Sequence, residues 1–177
     1  RHVNHGCARV RWGSGVYFHM NIKTELLSVL DALDAAGIPY ALCGGLALAV
    51  HGHPRFTKDI DLLILEQDVA RLESDVRQLG FDLSPGWIVF GRDTPGEQRI
   101  YRIVKVAGHE HLALDLVIVT PHQQPIWDSR QTMYLGNRKF VVVSREGLIC
   151  MKQATGRTQD KADVERLRGG SDESARS

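Results

Sequence analysis

Asp59 and Asp61 stand two residues apart in the apolar run DIDLLIL, and this pair constrains the chain more than any other feature. In an extended strand, residues two apart project to the same face. The two carboxylates therefore lie side by side, while Ile60, Leu62 and Ile64 point into a core. Adjacent carboxylates repel each other unless an opposite charge neutralises them. A hard divalent cation does so, and Mg2+ prefers carboxylate oxygens together with substrate phosphates. Upstream, the stretch from Leu42 to Leu65 opens LCGG, continues LALAV and turns at His53-Pro54. A Gly44-Gly45 turn that opens a helix leaves backbone N–H groups unshielded at the positive end of the helix dipole, a cradle for phosphate. Thirteen residues separate Gly45 from Asp59, so one stretch offers an anion site and a metal site. Together they predict binding of a metal–triphosphate.

The length of 177 residues suits one domain, with room for a small appendage. A hydrophobic fraction of 43% and a charged fraction of 24% are ordinary for a globular protein. The balance of 22 basic and 21 acidic residues gives no general pull toward nucleic acid, so any RNA contact requires a local basic patch. No apolar run approaches the length of a membrane span, which leaves a membrane out and predicts a cytoplasmic location. Cys7, Cys43 and Cys150 are odd in number and lack metal-ligand spacing. They read as buried, reduced thiols, and none has the surroundings of an activated nucleophile.

Residues 1–19 lack helical or strand periodicity and read as a non-native or disordered extension, with Met20 as the natural start. They hold no long apolar core of a secretory signal, and their His2, His5 and His19 carry little weight as ligands. From Asn21 onward the pattern is regular. Asn21 caps a helix whose Ile22, Leu26, Val29, Leu30 and Leu33 recur at helical spacing until Gly37 and Pro39 stop it. Tyr40 to Cys43 is a short buried strand, and Gln67 to Leu79 an amphipathic helix. Phe81 to Leu83 and Trp87 to Phe90 are short strands, and residues 91–98 a turn-rich segment. Arg99 to Ala107 pairs with His111 to Thr120 as a hairpin across Gly108-His109. Residues 121–137 read as a long polar connection, and Lys139 to Val143 as the last strand. Ser144 caps a helix through Ala154 and Thr158 caps another through Leu167; residues 169–177 form a disordered tail. The whole predicts an α/β (α+β) fold with a mixed sheet flanked by helices. Its core spans residues 20–143 and its C-terminal helical cap residues 144–168.

Several side chains admit two readings. Asp115 interrupts an apolar strand, where an unpaired carboxylate is costly. It is either a third metal-site carboxylate or a salt-bridge partner of Arg99, Arg102 or Lys105 on the neighbouring strand. Arg55 and Lys58 flank the Asp pair and either bind phosphate or neutralise the acidic cluster. Trp127 and Tyr134 either stack a base or cover the core. His51 and His53 form an H-x-H, but no cysteine or further histidine stands at a spacing that completes a zinc site, so they read as loop residues.

The pattern GG-x13-D-I-D resembles the signature of the nucleotidyltransferase superfamily of DNA polymerase beta type. The segment EGLICMKQATGRTQDKADVERL resembles the closing helices of the branch that holds the AbiEii-type toxins and related small bacterial proteins. The likeness runs from about Ile22 to Leu167. It implies a nucleotidyltransferase fold, with Asp59, Asp61 and Asp115 as catalytic and metal-holding residues for Mg2+ (or Mn2+). Gly44, Gly45, Arg55, Lys58 and Lys152 would bind the nucleotide phosphates, while Arg157 would pair with Asp160 or Asp163. The implied reaction moves a nucleoside monophosphate from an NTP to a hydroxyl, with in-line attack on the α-phosphorus and departure of pyrophosphate from two metal ions. RNA or tRNA is the implied acceptor and an antitoxin the implied partner. A small-molecule acceptor of the antibiotic type and a non-catalytic nucleotide- or partner-binding protein are the alternatives. The chain departs from its relatives in carrying Gly45 where many have serine, and Leu46-Ala47-Leu48 where the antitoxin-like branch has Ala-Arg-Gly.

Overall fold

Asn21 opens the first helix by accepting hydrogen bonds on its side-chain oxygen from the N–H groups of Lys23 and Thr24, at 3.0 and 3.4 Å. That helix, α1 (Ile22–Ala36), buries Leu26, Val29, Leu30 and Leu33 along one stripe. It ends at Gly37, whose φ of 64° is the left-handed conformation that glycine adopts without penalty. The computed structural model describes residues 20–94 and 97–169. The expectations for residues 1–19, for Cys7 and for most of the tail lie outside the described residues.

Seven strands follow: β1 (Tyr40–Cys43), β2 (Asp59–Ile64), β3 (Phe81–Phe90), β4 (Gln98–Ala107), β5 (Glu110–Ile118), β6 (Gln131–Leu135) and β7 (Arg138–Val142). They form one mixed sheet in the order β3-β4-β5-β2-β1-β7-β6. The β1–β7 and β2–β5 pairs are parallel and the others antiparallel. The remaining helices are α2 (Gly44–Val50), α3 (Val69–Arg77, entered by one 3-10 turn), α4 (Gln124–Asp128), α5 (Arg145–Thr155) and α6 (Thr158–Gly169). Helix α1 packs against α3, while α2 packs against α5 and α5 against α6. Ser144 caps α5 by accepting from the N–H of Gly147 at 3.1 Å. Thr158 is the first residue of α6 rather than a residue outside it.

Strand β2 lies at the middle of the sheet. Ile60, Leu62 and Ile64 are fully buried, as the alternation predicts, but so is Leu63 on the carboxylate face. Alternation therefore holds only through Asp61, beyond which the central strand is covered on both sides. Residues 121–137 are not a plain connection: they contain α4 and β6. Their regular structure escapes the sequence because β6 is a mostly exposed edge strand whose residues show no apolar alternation. Trp127 is buried in α4 and covers the core, whereas Tyr134 stays exposed on β6. Phe81 to Phe90 is one strand with register shifts at Leu83 and Gly86 rather than two short ones. No helix among the described residues is long and apolar enough to cross a membrane.

Candidate active site

The sheet register decides which charges meet. Across β1, β2, β5 and β4, Cys43 lies opposite Asp61, Asp61 opposite Asp115, and Asp115 opposite Arg102. Residues directly opposite share a face of the sheet, so Asp61, Asp115 and Arg102 form one polar row, with Asp59 two residues away on the same face of β2. Arg102 closes on Asp115 with two donors, Nε to Oδ1 and Nη2 to Oδ2, each at 2.7 Å. Arg99 and Lys105 are one residue out of phase with Arg102 and project to the other face. There Arg99 pairs with Glu66 at 2.7 Å and Lys105 with Glu25 at 2.9 Å. The alternation of β4 thus selects Arg102 among the three candidate partners of Asp115. Asp115 is only 4% exposed, so the bidentate pairing supplies the compensation that its burial demands.

One cleft of about 600 Å3 gathers every residue singled out from the sequence: Gly44, Gly45, Arg55, Lys58, Asp59, Asp61, Asp115 and Lys152. Gly44 has a φ of +63°, and a Cβ placed there would lie 2.0 Å from Oδ2 of Asp61. Only glycine admits that carboxylate. The N–H of Gly45 hydrogen-bonds to Asp61, so this amide already serves the carboxylate. A Cβ on residue 45 would come within 2.8 Å of Oγ1 of Thr57. Thr57 therefore fills the space that a serine at position 45 would take, and it lines the same cleft.

The electrostatics follow from the crowding. Burial, then the charges of Asp115 and Asp59, push the Asp61 carboxyl up to about 7, against the Gly45 N–H and Lys152, which pull it down. Asp59 is also raised, chiefly by burial and by Asp115, with Arg102, His111 and Arg157 opposing. One guanidinium, paired to Asp115, stands against three carboxylates, which leaves this corner short of positive charge.

The other cations are spent differently. Lys152 is 6% exposed. Its ammonium donates to Asp163 at 2.7 Å and to Asp160 at 3.2 Å. Arg55 also bonds Asp163, through Nε at 3.1 and 3.2 Å and Nη2 at 3.1 Å. Burial pushes the Asp163 carboxyl up, but the hydrogen bonds from Lys152 and Arg55 outweigh it and hold it below the usual range. Lys152 rather than Arg157 is thus the partner of Asp160 and Asp163, which corrects the expected pairing of Arg157. Arg157 instead lies over the Phe90 ring, 5.5 Å from its centroid. Lys58 is exposed over the Phe56 ring at 5.9 Å. His51 bonds the carbonyl of Val143 through Nε2 at 2.9 Å, a structural role. Cys43 is buried against Asp61, which with burial raises its thiol. Cys150 is exposed, against expectation, because it falls on the outer side of α5.

Residues 26–155 match the family described as "Nucleotidyl transferase AbiEii toxin, Type IV TA system". The chain belongs to this family. Its enzyme class is therefore nucleotidyl transfer. Among curated proteins none matches the chain. Among solved structures, TM1012 from Thermotoga maritima, assigned to the nucleotidyltransferases, is similar at 15% identity and a TM-score of 0.53, over 86% of this chain and 93% of that one. The solution structure of the antibiotic-resistance factor ANT(2'')-Ia is similar at 19% identity and a TM-score of 0.54, over 84% and 82%. A crystal structure of ANT(2'')-Ia with adenylyl-2''-tobramycin gives 19% and 0.51, over 85% and 90%. At these identities the likeness is one of fold.

Within the AbiEii chain, Arg102, Thr57, Asp160 and Asp163 join the cleft or its supports without having been singled out for the site. Register alone could have found Arg102, since counting back from the Gly108 turn sets it opposite Asp115. Nothing local marks Asp163, whose partner Arg55 is 108 residues away.

Two predictions follow from these charges. The folded Asp61 carboxyl titrates near 7, above its unfolded value, so between roughly pH 4 and 7 the folded chain holds a proton that the unfolded chain has lost. Stability in EDTA therefore falls as pH rises through that window. Asp61→Asn removes the effect, so its melting temperature is expected to exceed that of wild type at pH 8 and to match it only near pH 4, at the foot of that window. Equal differences at both pH values would contradict the raised Asp61 carboxyl. Asp163→Ala leaves Lys152 and Arg55 short of a buried partner and is expected to cost about 3–5 kcal/mol by denaturant unfolding. A loss below about 1 kcal/mol would show that the network carries no structural weight.

Proposed function

We propose that this AbiEii-type chain moves a nucleoside monophosphate from an NTP to a hydroxyl with the help of Mg2+ (or Mn2+). RNA, tRNA included, is the proposed acceptor, and an antitoxin the proposed partner. The observation that carries the reading is the row of Asp61 and Asp115 with Asp59 beside it, in one cleft and facing a single paired guanidinium. The donor set fits a hard divalent cation, because burial together with the neighbouring carboxylates Asp115 and Asp59 lifts Asp61 to about 7. Among the described residues no three His, Cys, Asp or Glu side chains form a group able to hold a metal ion by themselves. Mg2+ does not need one, since it keeps waters and takes one or two carboxylates together with substrate phosphates. Asp59 and Asp61 would hold it, because both Asp115 oxygens are engaged by Arg102. Such a cation would neutralise the phosphate charge and ease ionisation of the acceptor hydroxyl.

The chain's own residues supply the rest. Lys58 is exposed at the cleft and Arg157 has no carboxylate partner among the described residues, so these cations are available to the phosphates. Arg55 and Lys152 line the cleft but are held by Asp163, and they set its local potential. In the reaction the acceptor oxygen bonds to the α-phosphorus, the bond from that phosphorus to the bridging oxygen breaks, and pyrophosphate leaves with the electron pair. Asp59 or Asp61 would receive the hydroxyl proton. The family's description as a toxin of a toxin–antitoxin system supports an antitoxin as partner, and a cytoplasmic location is proposed with it.

The test is transfer of label. Wild type, Asp61→Asn and Arg102→Ala would be incubated with each α-labelled NTP, Mg2+ and total RNA, alongside an aminoglycoside and a protein extract. Label in RNA from wild type, at least a hundredfold reduced in Asp61→Asn, is the expected result; single catalytic electrostatic groups commonly carry about that factor. Label in the aminoglycoside or in protein would replace the acceptor. No label in any fraction from folded wild type would overturn the reaction.

A further inference from the structure

The cleft has a second row on the same face of the sheet. Val117, Ile100 and Ile88 lie opposite one another across β5, β4 and β3. This apolar row is two residues, about 7 Å, along the strands from the polar row of Asp115 and Arg102. Two residues further still, Gln98 lies opposite Phe90, and both line the cleft. The floor therefore grades from carboxylates through aliphatic side chains to an aromatic ring and an amide. A nucleoside triphosphate has the same gradient, from charged phosphates to a flat, apolar-faced base with a polar edge.

Phe90 and Gln98 are each unusual where they stand. Phe90 is 41% exposed. The Arg157 guanidinium lies over its ring, 5.5 Å from the centroid and near the outer limit of a cation–π contact. Gln98 is the opposite case, an amide residue 8% exposed whose side chain makes no hydrogen bond among the described residues. Its amide atoms are not among the sealed, unpartnered ones of the described residues, so they reach the cleft and are open to a ligand. Its fork of one acceptor and two donors can complete a pair with a base edge.

We propose that the Phe90–Gln98 end of the cleft is the nucleobase subsite for the donor NTP, with Phe90 stacking the base and Gln98 reading its edge. The proposal rests on the nucleotidyltransferase reading of the carboxylate end. Phe90 is a binding residue and Gln98 a specificity-determining one. Arg157 lies above the ring as a second flat surface. The base lies on the apolar row, so the ribose bridges the two rows and the phosphates reach the carboxylates.

Calorimetric titration separates this subsite from phosphate binding. Non-hydrolysable analogues of the four NTPs, and inorganic tripolyphosphate, would be titrated with Mg2+ into wild type, Phe90→Ala, Phe90→Tyr, Gln98→Leu and Trp87→Ala. Trp87 is an exposed aromatic on the other face of β3, against Tyr101 and Arg99, and does not line the cleft. Phe90→Ala is expected to weaken NTP binding by about tenfold or more, the worth of a base stacked on an aromatic ring, without changing tripolyphosphate affinity. Phe90→Tyr and Trp87→Ala keep wild-type affinity, and Gln98→Leu levels the preference among the four bases. Equal weakening of NTP and tripolyphosphate in Phe90→Ala, or no weakening, overturns the subsite while leaving the reaction intact. Unchanged NTP affinity with lost transfer to RNA would assign the surface to the acceptor instead and also overturns it. Wild type that binds no NTP overturns both this subsite and the reaction on which it rests.

Discussion

Two carboxylates set directly opposite each other on adjacent parallel strands, Asp61 and Asp115, are the constraint on which the site depends. A sheet that places like charges side by side at its centre must relieve them, and each neighbouring feature does part of that. The missing side chain of Gly44 makes room for the Asp61 carboxylate, the Gly45 amide donates to it, and Arg102 takes both oxygens of Asp115. The remainder is not relieved within the chain, and the raised Asp61 carboxyl records it. A bound cation, as the proposed function requires, would ease such a pocket. That is the electrostatic preorganisation expected of a site that handles phosphate with metal ions.

The opposite wall is built on a different balance. Asp163 is fully buried and gathers Lys152 from its neighbouring helix and Arg55 from the loop that leads into β2. Buried ion pairs of this kind contribute little net stability but cost much when one partner is lost. Their effect here is positional: α6 is tied to the segment that carries Asp59 and Asp61. The two networks meet across the cleft, one short of positive charge and one balanced. The proposed triphosphate and its cation would lie between them.

The parts of the molecule legible in the sequence are those with local signals. Asn21, Gly37 and Ser144 mark helix ends through the hydrogen bonds and left-handed turns that their side chains permit. The Gly108 turn fixes the β4–β5 hairpin, and through it the Arg102–Asp115 pairing. The eight site residues share one cleft because they fall on the β1–α2 turn, the loop that leads into β2, the start of β2, the facing strand β5 and helix α5. The sequence did not show β6, whose exposed edge carries no alternation, nor the burial of Leu63, which depends on helices covering both faces. Nor did it show that Asp163 would claim Lys152 and Arg55, because that pairing spans 108 residues and exists only once α6 has docked.

The measurement that reaches the central claim most directly is Mn2+ binding by electron paramagnetic resonance, with and without a non-hydrolysable NTP. Wild type is expected to bind Mn2+ more tightly with the nucleotide than without it, and Asp61→Asn to lose that binding while remaining folded. Equal Mn2+ binding by wild type and Asp61→Asn, in the presence of nucleotide, would contradict a cation held at the paired carboxylates.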